Sequence, residues 1–289
     1  MRMYDEKVKD YWHIYSDGKR ADTPFSSEDD KKYAMNSVAI CAYVTGMEVI
    51  CLEINDTHLH AVLCGCNPIL FKTKLKRRIT AWENRNEDKQ AGDFFLACDS
   101  VETRDELLTK IIYTFRNCLD FFKSAPWEYR WGVGNLFFAN RNMAEGTPLG
   151  KLSFREQYRM LESRYNLPPH WRIDNDGLIL PSSYIDAEKV ERLFGSVRAF
   201  LAFLFVRKED EIHMKQQFNR NYLEQRRIED MRQHANGLSH DRYGHGLKVL
   251  SLEQRLDIGK TMLKKGVATK SESFAKALYL KKEDLDRLL

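Results

Sequence analysis

Apolar and polar positions along this chain repeat with two different periods, and the switches between them mark out its elements. Residues 11–16 (YWHIYS) form a short aromatic run stopped by Asp17-Gly18, which predicts a strand. Ser26-Ser27-Glu28-Asp29 sets hydroxyls and then acids at the front of a helix that runs to about Tyr43, before Gly46 breaks it. Residues 47–54 and 57–65 read as two strands turned at Asn55-Asp56, a hairpin that ends at Pro68. Phe71, Leu75, Ile79 and Trp82 fall on one face of a helix over 71–84. A polar loop over 84–93 leads to a strand over 94–101 and then to a helix over 103–122 with an acidic first turn.

The resulting order, β-α-β-β-α-β-α, predicts an α+β fold: a ferredoxin-like or RRM-like split βαβ antiparallel sheet with helices, occupying residues 8–140. Residues 141–246 read as a mostly helical accessory region. Its better helical segments are 153–165 and 186–207, with a small hairpin at Asn175-Asp176-Gly177, a very polar helical stretch over 207–236, and a linker over 239–246 (SHDRYGHG). Residues 247–289 predict a three-helix, helix-turn-helix-like unit with helices over 252–264, 271–278 and 282–289. Ser251 and Gln254 have the spacing of a capping box at its start.

At 289 residues, 43% of them hydrophobic, the chain has ample material for a packed core. No apolar run approaches the length of about 18 residues that a membrane span needs, and residues 1–10 lack the apolar core of a signal peptide, so a cytoplasmic protein, nucleoid-associated, is expected. The six cysteines stand at 41, 51, 64, 66, 98 and 118 without a CxxC pair, which argues against a disulfide framework. Net charge is only +4, but it is unevenly spread. Residues 71–89 carry seven Lys or Arg against three acids and residues 248–289 carry ten against six, which leaves the rest of the chain at −4. Two basic surfaces on an otherwise acidic remainder fit a nucleic-acid partner.

The candidate chemistry starts at Thr57-His58-Leu59-His60. Alternation along a strand points His58 and His60 to one side, where two imidazoles can share a divalent ion; the pair alone is a weak signal. In the helix over 103–122, Leu107, Leu108, Ile111, Ile112, Phe115, Cys118, Leu119 and Phe122 form an apolar stripe, and Tyr113 and Asn117, four apart, fall nearly opposite it. A tyrosine placed away from the buried stripe beside an amide can serve as a nucleophile, with Asn117 completing or orienting a metal shell. Lys72, Lys76, Arg77 and Arg78 on the basic helix are candidate phosphate contacts. Trp127, Tyr129 and Trp131 could stack on bases, with core packing the expected role of at least two of them.

Several of these segments, in this order, resemble the HUH-type tyrosine transposases, and among them the REP-associated branch. The segments are His13-Ile14-Tyr15-Ser16 through Phe25-Ser26-Ser27-Glu28-Asp29, then Ile54-Asn55-Asp56-Thr57-His58-Leu59-His60, then Tyr113-Thr114-Phe115-Arg116-Asn117, and Pro126-Trp127-Glu128-Tyr129-Arg130-Trp131. The likeness covers residues 11–138. Asn55-Asp56-Thr57 stands where that family usually has Met-Pro-Asn, and Cys118 stands where a proline commonly follows the helix asparagine. The resemblance implies Mg²⁺ or Mn²⁺ on His58, His60 and Asn117, and attack by Tyr113 on single-stranded or hairpin DNA. A 5′-phosphotyrosine intermediate is then rejoined to a 3′-hydroxyl. Arg116 would join the DNA contacts, and the protein would act as a monomer or homodimer away from membranes. Two other readings compete with it. One is a non-catalytic or domesticated DNA-binding regulator built on the same fold and led by residues 247–289. The other is a metal hydrolase that recruits Glu53 beside His58 and His60.

Overall fold

The computed structural model describes residues 7–16, 23–85, 94–122, 124–138, 146–205 and 208–288. The Asp17-Gly18 stop, most of the polar loop over 84–93 and the expected boundary at 140/141 lie outside the described residues. The chain divides into two compact units, Met1–Ile212 and His213–Leu289.

The first unit is built on four antiparallel strands: β1 (Lys7–Tyr15), β2 (Glu48–Ile54), β3 (Leu59–Cys64) and β4 (Ala97–Thr103), in the spatial order β2-β3-β1-β4. Helix α1 (Glu28–Thr45) connects β1 to β2, and α2 (Pro68–Glu83) connects β3 to β4. Each crossover skips one strand, which is the ferredoxin-like split βαβ arrangement. Local signals set the ends of these elements. Ser27 caps α1 and exchanges a capping box with Asp30, while Gly46 closes the helix in the left-handed conformation at φ 66°. Pro68, expected only to end the hairpin, is the first residue of α2, where its missing N–H costs nothing.

Helix α3 (Arg104–Phe122) follows β4 and covers the sheet face that α1 and α2 leave bare. The consecutive residues Cys98 and Asp99 demonstrate the split, because neighbours on a strand point to opposite faces. Lys72 of α2 acts on the Cys98 thiol, which burial pushes up to about 11, while Lys110 of α3 lies 3.9 Å from Asp99. Both crossovers of a split βαβ unit lie on one side of the sheet, since each is right-handed.

The segment after α3 pins the end of the sheet. Tyr129 Oη donates to the Ile54 carbonyl at 2.8 Å, and Ile54 N–H donates to the Trp131 carbonyl. Tyr129 and Trp131 are core residues, whereas Trp127 is exposed. Gly134 fits here because a Cβ would come within 2.4 Å of the Pro126 carbonyl oxygen. Gly134→Ala must therefore displace backbone. It is expected to cost about 2 kcal/mol, read as a lowered urea midpoint at unchanged slope.

Beyond residue 146 the first unit adds a two-stranded ribbon, β5 (Thr147–Pro148) with β6 (Arg172–Ile173), and α4 (Phe154–Leu161), α5 (Ala187–Phe194) and α6 (Val197–Phe205). The single helix expected over 186–207 is interrupted at Gly195, whose φ of 75° ends α5. Gly177 makes the tight turn expected at 175–177, and Asn36 clamps it to α1: its amide donates to the Gly177 carbonyl and accepts from Ile179 N–H, both at 2.8 Å.

Helix α7 (Lys208–Tyr243) runs on through the expected linker, so Ser239 to Tyr243 are helical and the break comes at Gly244, φ 70°. In the second unit α7 is followed by α8 (Leu252–Lys264), α9 (Glu272–Ala277) and a 3₁₀ segment, Lys282–Leu288. Met231, Ala235, Leu256, Ile258, Met262, Phe274 and Leu278 form the centre of its own core. The Ser251–Gln254 capping box is present, and Gly259 lets Leu278 and Leu288 approach α8.

Candidate functional site

The sheet face under α3 carries an unusual number of polar residues. In register, Glu53, His60 and Tyr15 stand side by side on β2, β3 and β1, with His13 opposite Asp99 on the next row. Period-2 alternation places all five on the same face. Helix α3 lays Lys110, Tyr113, Thr114 and Asn117 over them, spaced three and four apart. All of these side chains apart from Asp99 are buried.

This corrects the expected orientation of α3. Tyr113 and Asn117 do lie apart from the apolar stripe, but they are not on an open face: Tyr113 is 8% and Asn117 2% exposed. The helix is covered on two sides. Its polar side meets the sheet, and Phe115 on its apolar side packs edge-on to Phe137 and Phe200.

His58, Tyr113 and Asn117 converge with His60. The rings of His58 and His60 are 5.0 Å apart between centroids, and Tyr113 sits edge-on to His60 at 5.2 Å. Asn117 Nδ2 donates to the carbonyls of Tyr113 and Thr114, which turns its Oδ1 to His58 Nε2 at 3.5 Å. His58 Nδ1 is 2.8 Å from Thr57 Oγ1. In the tautomer where Nδ1–H donates to that hydroxyl, Nε2 accepts from Asn55 Nδ2 at 3.4 Å and lies beside Asn117 Oδ1, so a cation bound there would take the place of the Asn55 contact. Two imidazoles and an amide oxygen could thus hold a divalent ion. Among the described residues no three His, Cys, Asp or Glu side chains are grouped for metal binding, so such a site depends on Asn117. Glu53, paired in register with His60, directs its carboxylate to within hydrogen-bonding reach of Cys118.

Four residues here were not singled out from sequence: His13, Tyr15, Asp99 and Lys110. His13 Nε2 lies 3.0 Å from His60 Nδ1, and the two rings are nearly parallel. This fixes the plane of His60 in the way outer-shell partners orient a metal-binding imidazole. Tyr15 stacks on His13 and donates to Asp99 at 3.2 Å. The available signals were the two-residue spacing of His13 and Tyr15 on a strand, and the three-residue spacing of Lys110 and Tyr113 on a helix.

The basic residues fare differently. Helix α2 is on the opposite side of the sheet from the histidines, so its cations do not line this site. Arg78 is committed internally: it donates to Ser37 Oγ and to the Leu161 and Glu162 carbonyls, and it stacks on Tyr33. Lys72 stands over the Phe95 ring. Lys76 is partly exposed and Arg77 exposed, while Arg116 is half-buried on α3.

Burial holds the His13 imidazole well below its ordinary range, and the Lys110 charge adds to the effect. His60 is lowered by burial, by His58 and His13, and by Lys110. The folded protein keeps both neutral, whereas the unfolded chain takes up a proton on each below about pH 6.5. The unfolded state then binds more protons, so stability falls as pH drops through that value toward the lower folded-state values. The unfolding free energy of the metal-free protein is expected to fall between about pH 7 and pH 5 by up to about 1.4 kcal/mol per pH unit for each imidazole, read as a falling urea midpoint. A midpoint flat over that range contradicts the neutral pair.

Among the described residues, no helix is long and apolar enough to cross a membrane. Compared with protein families, curated proteins and solved structures, the chain shows no match.

Proposed function

We propose that the protein cleaves and rejoins single-stranded DNA, as the HUH-type resemblance implies, with Tyr113 as nucleophile. The observation that carries this reading is the convergence of Tyr113 and Asn117 on His58 and His60, residues some fifty positions apart in the chain. Tyr113 Oη would form a bond to the 5′ phosphorus, and the 3′ oxygen would leave as a hydroxyl with the proton that the phenol gives up. A 3′-hydroxyl reverses the step, so no nucleotide is hydrolysed. His58, His60 and Asn117 would hold a divalent ion, which supplies charge neutralisation at the scissile phosphate. His13 orients His60, and Asn55 and Thr57 fix His58 from the hairpin turn.

The test is covalent capture of labelled hairpin DNA on a denaturing gel. A protein–DNA band is expected with Mn²⁺ or Mg²⁺. Mn²⁺ should support it better, since two of the three donors are imidazoles. EDTA should remove the band. A band that persists in EDTA overturns the metal assignment.

A specific observation favours a second reading. Tyr113, His58, His60 and Asn117 are all nearly sealed from solvent, as suits a DNA-binding regulator that retains the fold without the chemistry. Salt-dependent DNA binding with no covalent band under any metal identifies that alternative.

A further inference from the structure

The second unit carries a concentration of positive charge that its own acids do not neutralise. Glu224, Glu229, Asp230, Glu253, Asp257, Glu272 and Asp284 each lie in an ion pair, mostly with arginines. By contrast, the ammonium groups of Lys260, Lys264, Lys265, Lys270, Lys281 and Lys282 have no partner among the described residues. Lys260 is half-buried and the other five are exposed.

These lysines cluster around one small element. Lys260 and Lys264 are four apart on α8, so they share a face. Lys265 and Lys270 lie in the connection from α8 to α9, and Lys281 lies in the connection that follows α9. Helix α9 has six residues, so these two connections are only roughly 9 Å apart along it. The second connection turns sharply: Tyr279 is left-handed at φ 54° and leads α9 into the 3₁₀ segment at 282–288. A short helix, a tight turn and a second helical segment over a common core is the helix-turn-helix plan.

We infer that this face of the second unit binds the phosphate backbone of duplex DNA, through Lys264, Lys265 and Lys270 on one side of α9 and Lys281 and Lys282 on the other. Single-strand binding needs exposed aromatic platforms, and the exposed large apolar side chains described in this unit are Leu223, Val249 and Val267, none of them aromatic. Tyr279 is covered by Arg232 and Lys248, and the Tyr243 hydroxyl is bonded to Asp257. Glu283 and Asp286 are exposed on the 3₁₀ segment. They keep the rest of its outward face off the phosphates and leave the backbone contacts to the two connections and to Lys282 at its start.

The inference stands apart from strand cleavage. Its test uses the full chain and fluorescence anisotropy with a labelled duplex of about 20 base pairs, and with one of its strands alone, between about 50 and 200 mM salt. The triple variant Lys264→Ala/Lys265→Ala/Lys270→Ala is expected to lose at least about tenfold in duplex affinity. The slope of log affinity against log salt should become shallower by about 0.9 for each phosphate that is no longer neutralised. The triple Lys→Arg variant should restore both, which separates charge from folding, and Lys281→Ala/Lys282→Ala should weaken binding in the same way. Tyr113→Phe should bind the duplex like wild type whatever its effect on covalent capture. Absence of duplex binding by wild type, an unchanged salt slope in both alanine variants, or an equal loss on the single strand overturns the inference. Displacement of the duplex by polyglutamate as effective as by unlabelled duplex points instead to an acidic protein partner, and overturns it as well.

Discussion

Tyr113→Phe is expected to abolish covalent capture of hairpin DNA, by at least about 10³-fold, while non-covalent binding and the urea midpoint stay close to wild type. The substitution removes one oxygen and keeps the ring that packs edge-on to His60, so the architecture beneath α3 is retained. The essential control is Tyr15→Phe. Tyr15 also lies beside His60, at 5.8 Å between ring centroids, but it stacks face to face, and its hydroxyl donates to Asp99. Burial and the Asp99 carboxylate both push the Tyr15 phenol up and disfavour its phenolate. Capture should therefore survive in Tyr15→Phe and vanish in Tyr113→Phe. The reverse pattern would move the nucleophile to β1, and loss in neither variant would show that neither Tyr113 nor Tyr15 is the nucleophile.

How much of this was legible in the sequence depended on whether the signal was local. The order of strands and helices was readable because turn and cap chemistry sits next to the residues it controls, as with Ser27, Gly46 and Ser251. Across residues 7–122 the strand order β2-β3-β1-β4 is the one expected from that element order. Which face of α3 meets the sheet was not readable. The apolar stripe implied one buried side, but the helix is buried on two: Phe115 packs on Phe137 and on Phe200 of α6, while the sheet covers the polar side and meets the near edge of the stripe at Cys118. The end of helix α7 was hidden for a related reason. Ser239-His240-Asp241-Arg242-Tyr243 looks like a linker by composition, yet Ser239 is fully buried and Tyr243 bonds to Asp257, contacts made only in the tertiary structure. At the site, His58 and His60 announced themselves by spacing. His13, Asp99 and Lys110 did not, because the contacts that bring them to the site, His13 with His60 and Asp99 with Tyr15 and Lys110, all cross between elements.

Asp99→Ala is expected to destabilise the first unit by about 3 kcal/mol, the largest effect on stability anticipated from a single side chain near the site. Asp99 accepts the Tyr15 hydroxyl at 3.2 Å and faces the Lys110 ammonium at 3.9 Å, with only 9% of its side chain and 4% of that of Lys110 exposed. Removing the carboxylate leaves a phenol and an ammonium buried against the sheet, with Glu106 the remaining acid beside Lys110, also at 3.9 Å. Lys110 has an escape that bounds the cost: burial already lowers its pKa against the pull of Asp99 and Glu106. Without Asp99 it can shed its proton rather than remain charged. The penalty should therefore shrink as pH rises. Asp99→Ala/Lys110→Met should recover most of the loss at neutral pH, because a buried pair replaced by apolar groups is often nearly neutral while a broken pair is not. Urea midpoints of the two single variants and the double close this cycle. Additive losses would show that Asp99 and Lys110 do not form a working pair, and that α3 is held to the sheet by apolar packing alone.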